Sequence, residues 1–222
     1  MSQKRKTRTK STERGSARHM RKLRQVRLQL AAEAARIIAT EGQHNYHAAK
    51  KKAAERIGVS ERLALPSNIE VQEALSAYQN LYGGIHHHHK LEQARIIATR
   101  AMRIFEGFSP RLVGPVLDGT AGEHSRISLH VFCDSPESLI LFFLEKGVTF
   151  QQEQRQIRWH DGSHRSIPLI LFDLDGKTIE LGVFKPLDLR QAPPSPIDGK
   201  PQQRASLPDV ELLLSKVPEP EE

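Results

Sequence analysis

The side chains whose spacing suggests a site on a sheet fall in two short runs, LVGPVLDGTAGEHSRISLHVF (112–132) and TIELGVF (178–184). Alternation along RISLHVF (126–132) puts Arg126, Ser128 and His130 on one strand face and Ile127, Leu129 and Val131 on the other. An arginine so placed can grip a phosphate or a carboxylate such as Glu180. His130 is a candidate acid or base, since an imidazole changes charge near neutral pH. Each also has a plainer role: Arg126 and Glu180 as a cross-strand ion pair, His130 as a partly buried sheet residue. Glu123 and His124 read as exposed turn residues. Arg190, Lys200 and Arg204 flank a loop bent by Pro and Gly (193–201). That loop can offer cations to a phosphate, or simply return the chain to the domain.

Other catalytic patterns fail on context. Gly176-Lys177-Thr178 has the last three letters of a phosphate-binding loop but sits in a hairpin, without the earlier glycine or a following helix. Gly199-Lys200-Pro201 fails as well. There is no Gly-x-Ser-x-Gly elbow, and Cys133 follows a strand with no evident base.

The run 112–132 resembles the signature of the nucleotidyltransferase superfamily, in which a helix leads to a strand bearing Gly-Ser, a hairpin turn, and a strand bearing Asp-x-Asp. Gly114 matches the family glycine, and Gly119-Thr120-Ala121 matches the family turn. The resemblance covers roughly 91–185. It implies a nucleotide-binding surface that includes Gly114, Gly119, Thr120 and Ser128, with Glu180 as the third catalytic acid. In that family two carboxylates two residues apart meet the same pair of divalent metals. Here Pro115 stands where the serine contacts phosphate, and Arg126 and Ser128 stand where the two acids belong. One carboxylate supports two Mg²⁺ ions weakly, and an arginine repels them. The resemblance therefore implies a degenerate member in a binding or regulatory role. A divergent metal-dependent transferase using Glu180, with Mg²⁺ as its cofactor, is the alternative, and a protein–protein adaptor with a vestigial pocket is a third reading. No metal site is expected otherwise.

The elements that position these residues follow from periodicity. Leu23, Val26, Leu30, Ala34, Ile37 and Ile38 recur at helical spacing up to Gly42. A second helix is expected over 45–57, with Lys50–Lys52 and Arg56 adding to a basic face. A third runs to about Tyr82, with Asn68 as its N-cap. His86–His89 read as a polar linker. A fourth helix is expected from Leu91 to Glu106, with Gly107 as its C-cap. Strands follow over 111–117 and 126–132, then a helix from Pro136. Strands at 148–159, 167–174 and 178–184 come next, with Asp175-Gly176 as a strong hairpin signal. A last helix spans 207–217, with Ser206 placed to cap it. The expected organisation is a disordered basic arm (1–22), a helical module with its His-rich linker (23–90), an α+β domain with a mixed sheet packed on helices (91–217), and an acidic tail (218–222).

Charge is unevenly placed. Lys4, Arg5, Lys6, Arg8, Lys10, Arg14, Arg18, Arg21, Lys22, Arg24 and Arg27 crowd the start, opposed there only by Glu13, while the whole chain carries +7. Such a run points to a polyanion, RNA or DNA, held by Lys4, Arg5, Lys6, Arg8, Lys10, Arg21, Lys22 and Arg24. It has no aromatic side chain for base stacking, which argues against sequence reading by the arm. The single cysteine excludes an internal disulfide and fits a reducing, cytoplasmic setting. No apolar run approaches the length of a membrane span.

Overall fold

The computed structural model describes the backbone of residues 4–43, 45–60 and 65–215. The chain divides into two compact units, with the boundary between Tyr78 and Gln79. The acidic tail and residues 216–217 of the expected last helix lie outside the described residues.

The first unit is built from α1 (Lys4–Glu41), α2 (Tyr46–Ile57) and the first part of α3 (Asn68–Tyr82). Leu30, Ala31, Ala34 and Ile37 of α1 pack on Ala49, Ala53 and Ala54 of α2 and on Val71 of α3. Gly42 and Gly58 end α1 and α2 with φ of 67° and 72°, left-handed values that cost glycine nothing. Asn45 caps α2 by accepting from the main-chain N–H groups of His47 and Ala48.

Three expectations change here. The basic start is helical from Lys4, where an arm without large hydrophobes was expected to be disordered. Lys, Arg, Glu, Ala and Met, all good helix formers, make up most of residues 4–22, and there is no proline. The packed second half of α1 supplies a nucleus from which the helix extends. The cap of α3 is Ser67 rather than Asn68. Glu70 Oε2 accepts from the Ser67 N–H at 2.7 Å, and Ser67 Oγ accepts from the Glu70 N–H at 3.2 Å, a reciprocal capping box. Ile57, whose helical spacing with Tyr46, Ala49, Ala53 and Ala54 puts it on the apolar face of α2, is 37% exposed.

The second unit holds a five-stranded mixed sheet in the order β1-β2-β5-β4-β3. The strands are β1 (Arg111–Val113), β2 (Ile127–Phe132), β3 (Gln151–Arg158), β4 (His164–Leu174) and β5 (Lys177–Phe184). Only β2 and β5 run parallel. One face of the sheet packs against α4 (Gly84–Ile104), α6 (Pro136–Lys146) and α7 (Leu207–Ser215), through Ala98, Met102, Phe105, Leu139, Phe143 and Val210. The ring centroids of Phe105 and Phe143 lie 5.4 Å apart and both reach Phe172 of β4. The opposite face carries a smaller apolar group of Phe132, Trp159, Ile167, Leu169, Leu171 and Phe184. The α+β reading thus stands as a mixed α/β unit, with seven α-helices in the chain among the described residues.

The first strand is shorter than its apolar run suggests. β1 ends at Val113, because Gly114 turns the chain (φ 71°, ψ −153°) and Pro115 opens the short helix α5 (Pro115–Asp118). His86–His89 are not a linker. They form the first turns of α4, where the His87 Nε2–H donates to the Gly119 carbonyl at 3.0 Å. That helix ends at Ile104, capped by Phe105 and followed by a single 3₁₀ turn (Glu106–Phe108), so Gly107 is not its C-cap. The β4–β5 turn is as expected: Asp175 (φ 51°) and Gly176 (φ 75°) form a two-residue turn with both φ positive.

Candidate functional site on the sheet face opposite the helices

The register of the sheet assembles the site. Ser128 on β2 lies directly beside Glu180 on β5, and His130 lies beside Gly182. Arg126 immediately precedes β2. Side chains of β2 and β5 alternate, so Arg126, Ser128, His130 and Phe132 share a face with Glu180 and Phe184, while Ile127, Leu129 and Val131 sink completely into the helix-covered core.

Glu180 is the centre of this face and is only 4% exposed. A carboxylate so far from water must be paired. Arg155 Nη2 donates to its Oε2 at 2.7 Å, and Arg126 Nη1 does so at 3.2 Å. Arg126 also lies 3.6 Å from Glu153. Arg155 sits on β3, two strands from Glu180, and only a side chain of its length spans the intervening strand. Its role was not legible in the sequence. QQEQRQIR reads simply as a polar strand, and the β3–β4 register, which faces Arg155 with Ile167, had to be known first.

His130 and Arg204 form a second cluster beside the first. His130 is 8% exposed and its ring lies against Phe184, with centroids 4.4 Å apart. Gly182 makes room for it, since a Cβ there would come within 3.3 Å of Phe184 and 3.5 Å of His130. Arg204 crosses this face with its guanidinium 5.0 Å from the Phe132 ring and 5.4 Å from the Phe184 ring. Its Nε–H donates to His130 Nδ1 at 3.1 Å and its Nη1 to the Asp188 carbonyl at 2.7 Å. Nδ1 therefore accepts, and His130 is neutral. Burial, helped by the nearby charges of Arg204 and Arg155, pushes its pKa down to about 3. Burial also lowers Arg204 to about 10, against the pull of Asp188. A histidine this hard to protonate is a poor proton shuttle near neutral pH, and its position favours the packing role.

The other expected binding residues are distributed differently. Gly114 follows Val113, which pairs with Ser128, so its main chain borders the site. Gly119 and Thr120 are tied inward: their carbonyls accept from His87 and from Gln79 Nε2, the latter at 2.6 Å. Arg190 and Lys200 are exposed on the loop, and Arg204 is the loop cation that reaches this face.

These residues do not fit a pair of divalent metals. The positions beside Glu180 hold an arginine and a serine, the carboxylate already serves two guanidinium groups, and a bound cation would have to displace both. No group of three or more His, Cys, Asp or Glu side chains with metal-binding geometry occurs among the described residues.

The basic run of the sequence lies on α1. Arg18, Arg21, Lys22 and Arg24 are exposed, while the side chains of Lys4, Arg5, Lys6, Arg8 and Lys10 lie outside the described residues. Of the expected extension onto α2, Lys51 is exposed, while the other three cations are engaged within the first unit. Lys52 and Arg56 both meet Glu41 at 2.6 Å, Arg56 also reaches Glu33, and Lys50 is turned onto the Pro66 carbonyl and Asn68. Hydrogen bonds from Lys52 and Arg56 lower the Glu41 carboxyl to about 2. No helix among the described residues is long and apolar enough to cross a membrane. Comparison with protein-family models, with curated proteins and with solved structures found no match.

Proposed function

We propose that the second unit is a nucleotidyltransferase-like domain that has exchanged metal-dependent transfer for binding, and that the basic part of α1 attaches the protein to nucleic acid. The order helix, short strand, Gly114 turn and second strand, with Glu180 on the parallel neighbour of that strand, supports the likeness. The observation that carries the functional reading is the engagement of Glu180. In the resembling enzymes this position serves a metal pair; here Arg126 and Arg155 hold it instead. A nucleotide phosphate bound on this face meets arginines directly, with no bridging cation. The role is regulatory or scaffolding, and the partner of α1 is a polyanion read by charge rather than by sequence.

A transfer assay tests this. Purified protein with each labelled nucleoside triphosphate and Mg²⁺ or Mn²⁺ is expected to incorporate no label above the Glu180→Gln background. Metal-dependent incorporation that the substitution abolishes would establish a working enzyme and end this reading.

A further inference from the structure

The basic opening of α1 runs ahead of the core to which the helix belongs. The residues of α1 that join that core begin at Val26 and Leu30. Before them, Arg18, Met20, Arg21, Lys22 and Arg24 are exposed. Among the described residues, the ion pairs of α1 begin at Arg27, which meets Glu70. The helix is nevertheless continuous from Lys4.

The placing of the cations around that helix decides what can meet them. Each residue advances the helix by about 100°. The cationic positions run from Lys6 and Arg24 on one flank, through Arg14 and Arg18, to Lys22 and Arg8 on the other, an arc of roughly 200°. Up to Arg24, Arg5 alone among the cations falls outside it. A membrane surface would need an apolar stripe on the helix to enter the lipid. From Lys4 to Lys22 the only large hydrophobe is Met20. A single strand, or one row of phosphates, meets a narrow stripe and leaves both flanks facing water. A groove with a phosphate wall on each side meets the whole arc.

We infer that this helix lies in the major groove of B-form DNA and is held by the phosphates of both walls. The inference rests on the reading that α1 attaches the protein to nucleic acid, and it names the form of nucleic acid. The fit is one of size. An α-helix with its side chains is about 10–12 Å across. The major groove of B-DNA is about 12 Å wide and about 8.5 Å deep, whereas the minor groove is about 6 Å wide. An A-form RNA duplex has a major groove too deep and narrow to take the helix.

Fluorescence anisotropy of the full chain tests this, with labelled duplex DNA, duplex RNA of the same sequence, and a single strand of each, all at one salt concentration. Binding to duplex DNA is expected to be at least about tenfold tighter than to any of the others. Ala17→Pro breaks the helix and leaves every charge in place. It lies ahead of the residues that join the core, so the unit stays folded. This variant is expected to bind duplex DNA about tenfold more weakly or worse, where an arm held by charge alone would keep its affinity. Dimethyl sulfate footprinting reads the groove directly, because guanine N7 opens into the major groove and adenine N3 into the minor. Saturating protein is expected to shield N7 and leave N3 reactive. Equal affinity for the RNA duplex, full affinity in Ala17→Pro, or N7 left reactive would overturn the inference while leaving attachment to nucleic acid standing. No binding to any of these probes would end both.

Discussion

Glu180 shows how one residue decides between two chemistries. A buried carboxylate is costly unless its charge is answered, and a metal pair or two guanidinium groups can each answer it. Arg126 and Arg155 do so here from opposite sides. Half of this was legible: strand alternation put Arg126 on the face of Glu180, and the pairing of the two was one of the readings that followed. Arg155 was not, because it lies two strands away in space and its partner depends on two registers at once. His130 teaches the complementary lesson. Its type suggested acid–base work, but the cover of Phe184 from β5 and of Arg204, 74 residues later, keeps it neutral. The consequence is a pH dependence of stability. The unfolded chain binds a proton near the ordinary histidine value of 6.5, while folded His130 holds off until about 3. Between these values the unfolded state carries the extra proton, so stability present above pH 6.5 is lost as the pH falls. His130→Asn keeps an acceptor near Arg204 and removes the titration. Urea unfolding at about pH 7 and about pH 5 is expected to show a smaller loss for this variant, by about 1 kcal/mol per pH unit. An identical loss in both proteins would show that His130 protonates freely in the folded state.

At the scale of elements, the features that rest on local chemistry were readable and those that rest on competition were not. Gly42 and the Asp175-Gly176 pair act through their own backbone angles, and each ends or turns its element as expected. The alternating apolar residues of β2 and β5 likewise define their buried face. The run 111–117 was ambiguous because its apolar residues suit a strand throughout, and the break depends on Gly114 and Pro115 acting together. Gly114 holds φ 71° and ψ −153°, a region essentially restricted to glycine, yet no atom lies within 4 Å of the place a Cβ would occupy. Gly114→Ala therefore meets no clash and tests backbone strain alone. Chemical denaturation is expected to show a loss of about 1–3 kcal/mol. A loss near zero would mean the turn adopts another conformation readily, and β1 would not be fixed by it. The His86–His89 tract was missed for a related reason. Composition suggested a linker, but the tract follows Gly83-Gly84 and leads straight into the apolar face of α4, and His87 gains a specific acceptor at Gly119.

For the whole molecule, the informative quantity is where charge is left unanswered. Lys52 and Arg56 of α2 are spent on Glu33 and Glu41, and Arg126 and Arg155 on Glu180. The basic run opening α1 has only Glu13 opposing it through residue 27. Arg27 pairs with Glu70 and Val26 joins the core of the first unit, so a deletion of 1–22 stops short of both. On the proposed function, removing 1–22 is expected to weaken binding to RNA or DNA. The dependence of log affinity on log salt should flatten by about one unit for each phosphate that is no longer neutralised. An unchanged slope would move the nucleic-acid surface elsewhere.

On the function proposed above, the sheet face carrying Glu180 is closed to metal-dependent nucleotide chemistry by its own arginines. The most decisive experiment is a thermal-shift panel with ATP, GTP, CTP and UTP, each with and without Mg²⁺ or Mn²⁺. A ligand at about 100 times its dissociation constant adds roughly 2.7 kcal/mol, enough to raise Tm by several degrees. The metal is expected to add nothing: any shift is the same without it and falls in Arg126→Ala. A shift that requires the metal and disappears in Glu180→Gln would contradict this and return the domain to the catalytic members of the fold it resembles.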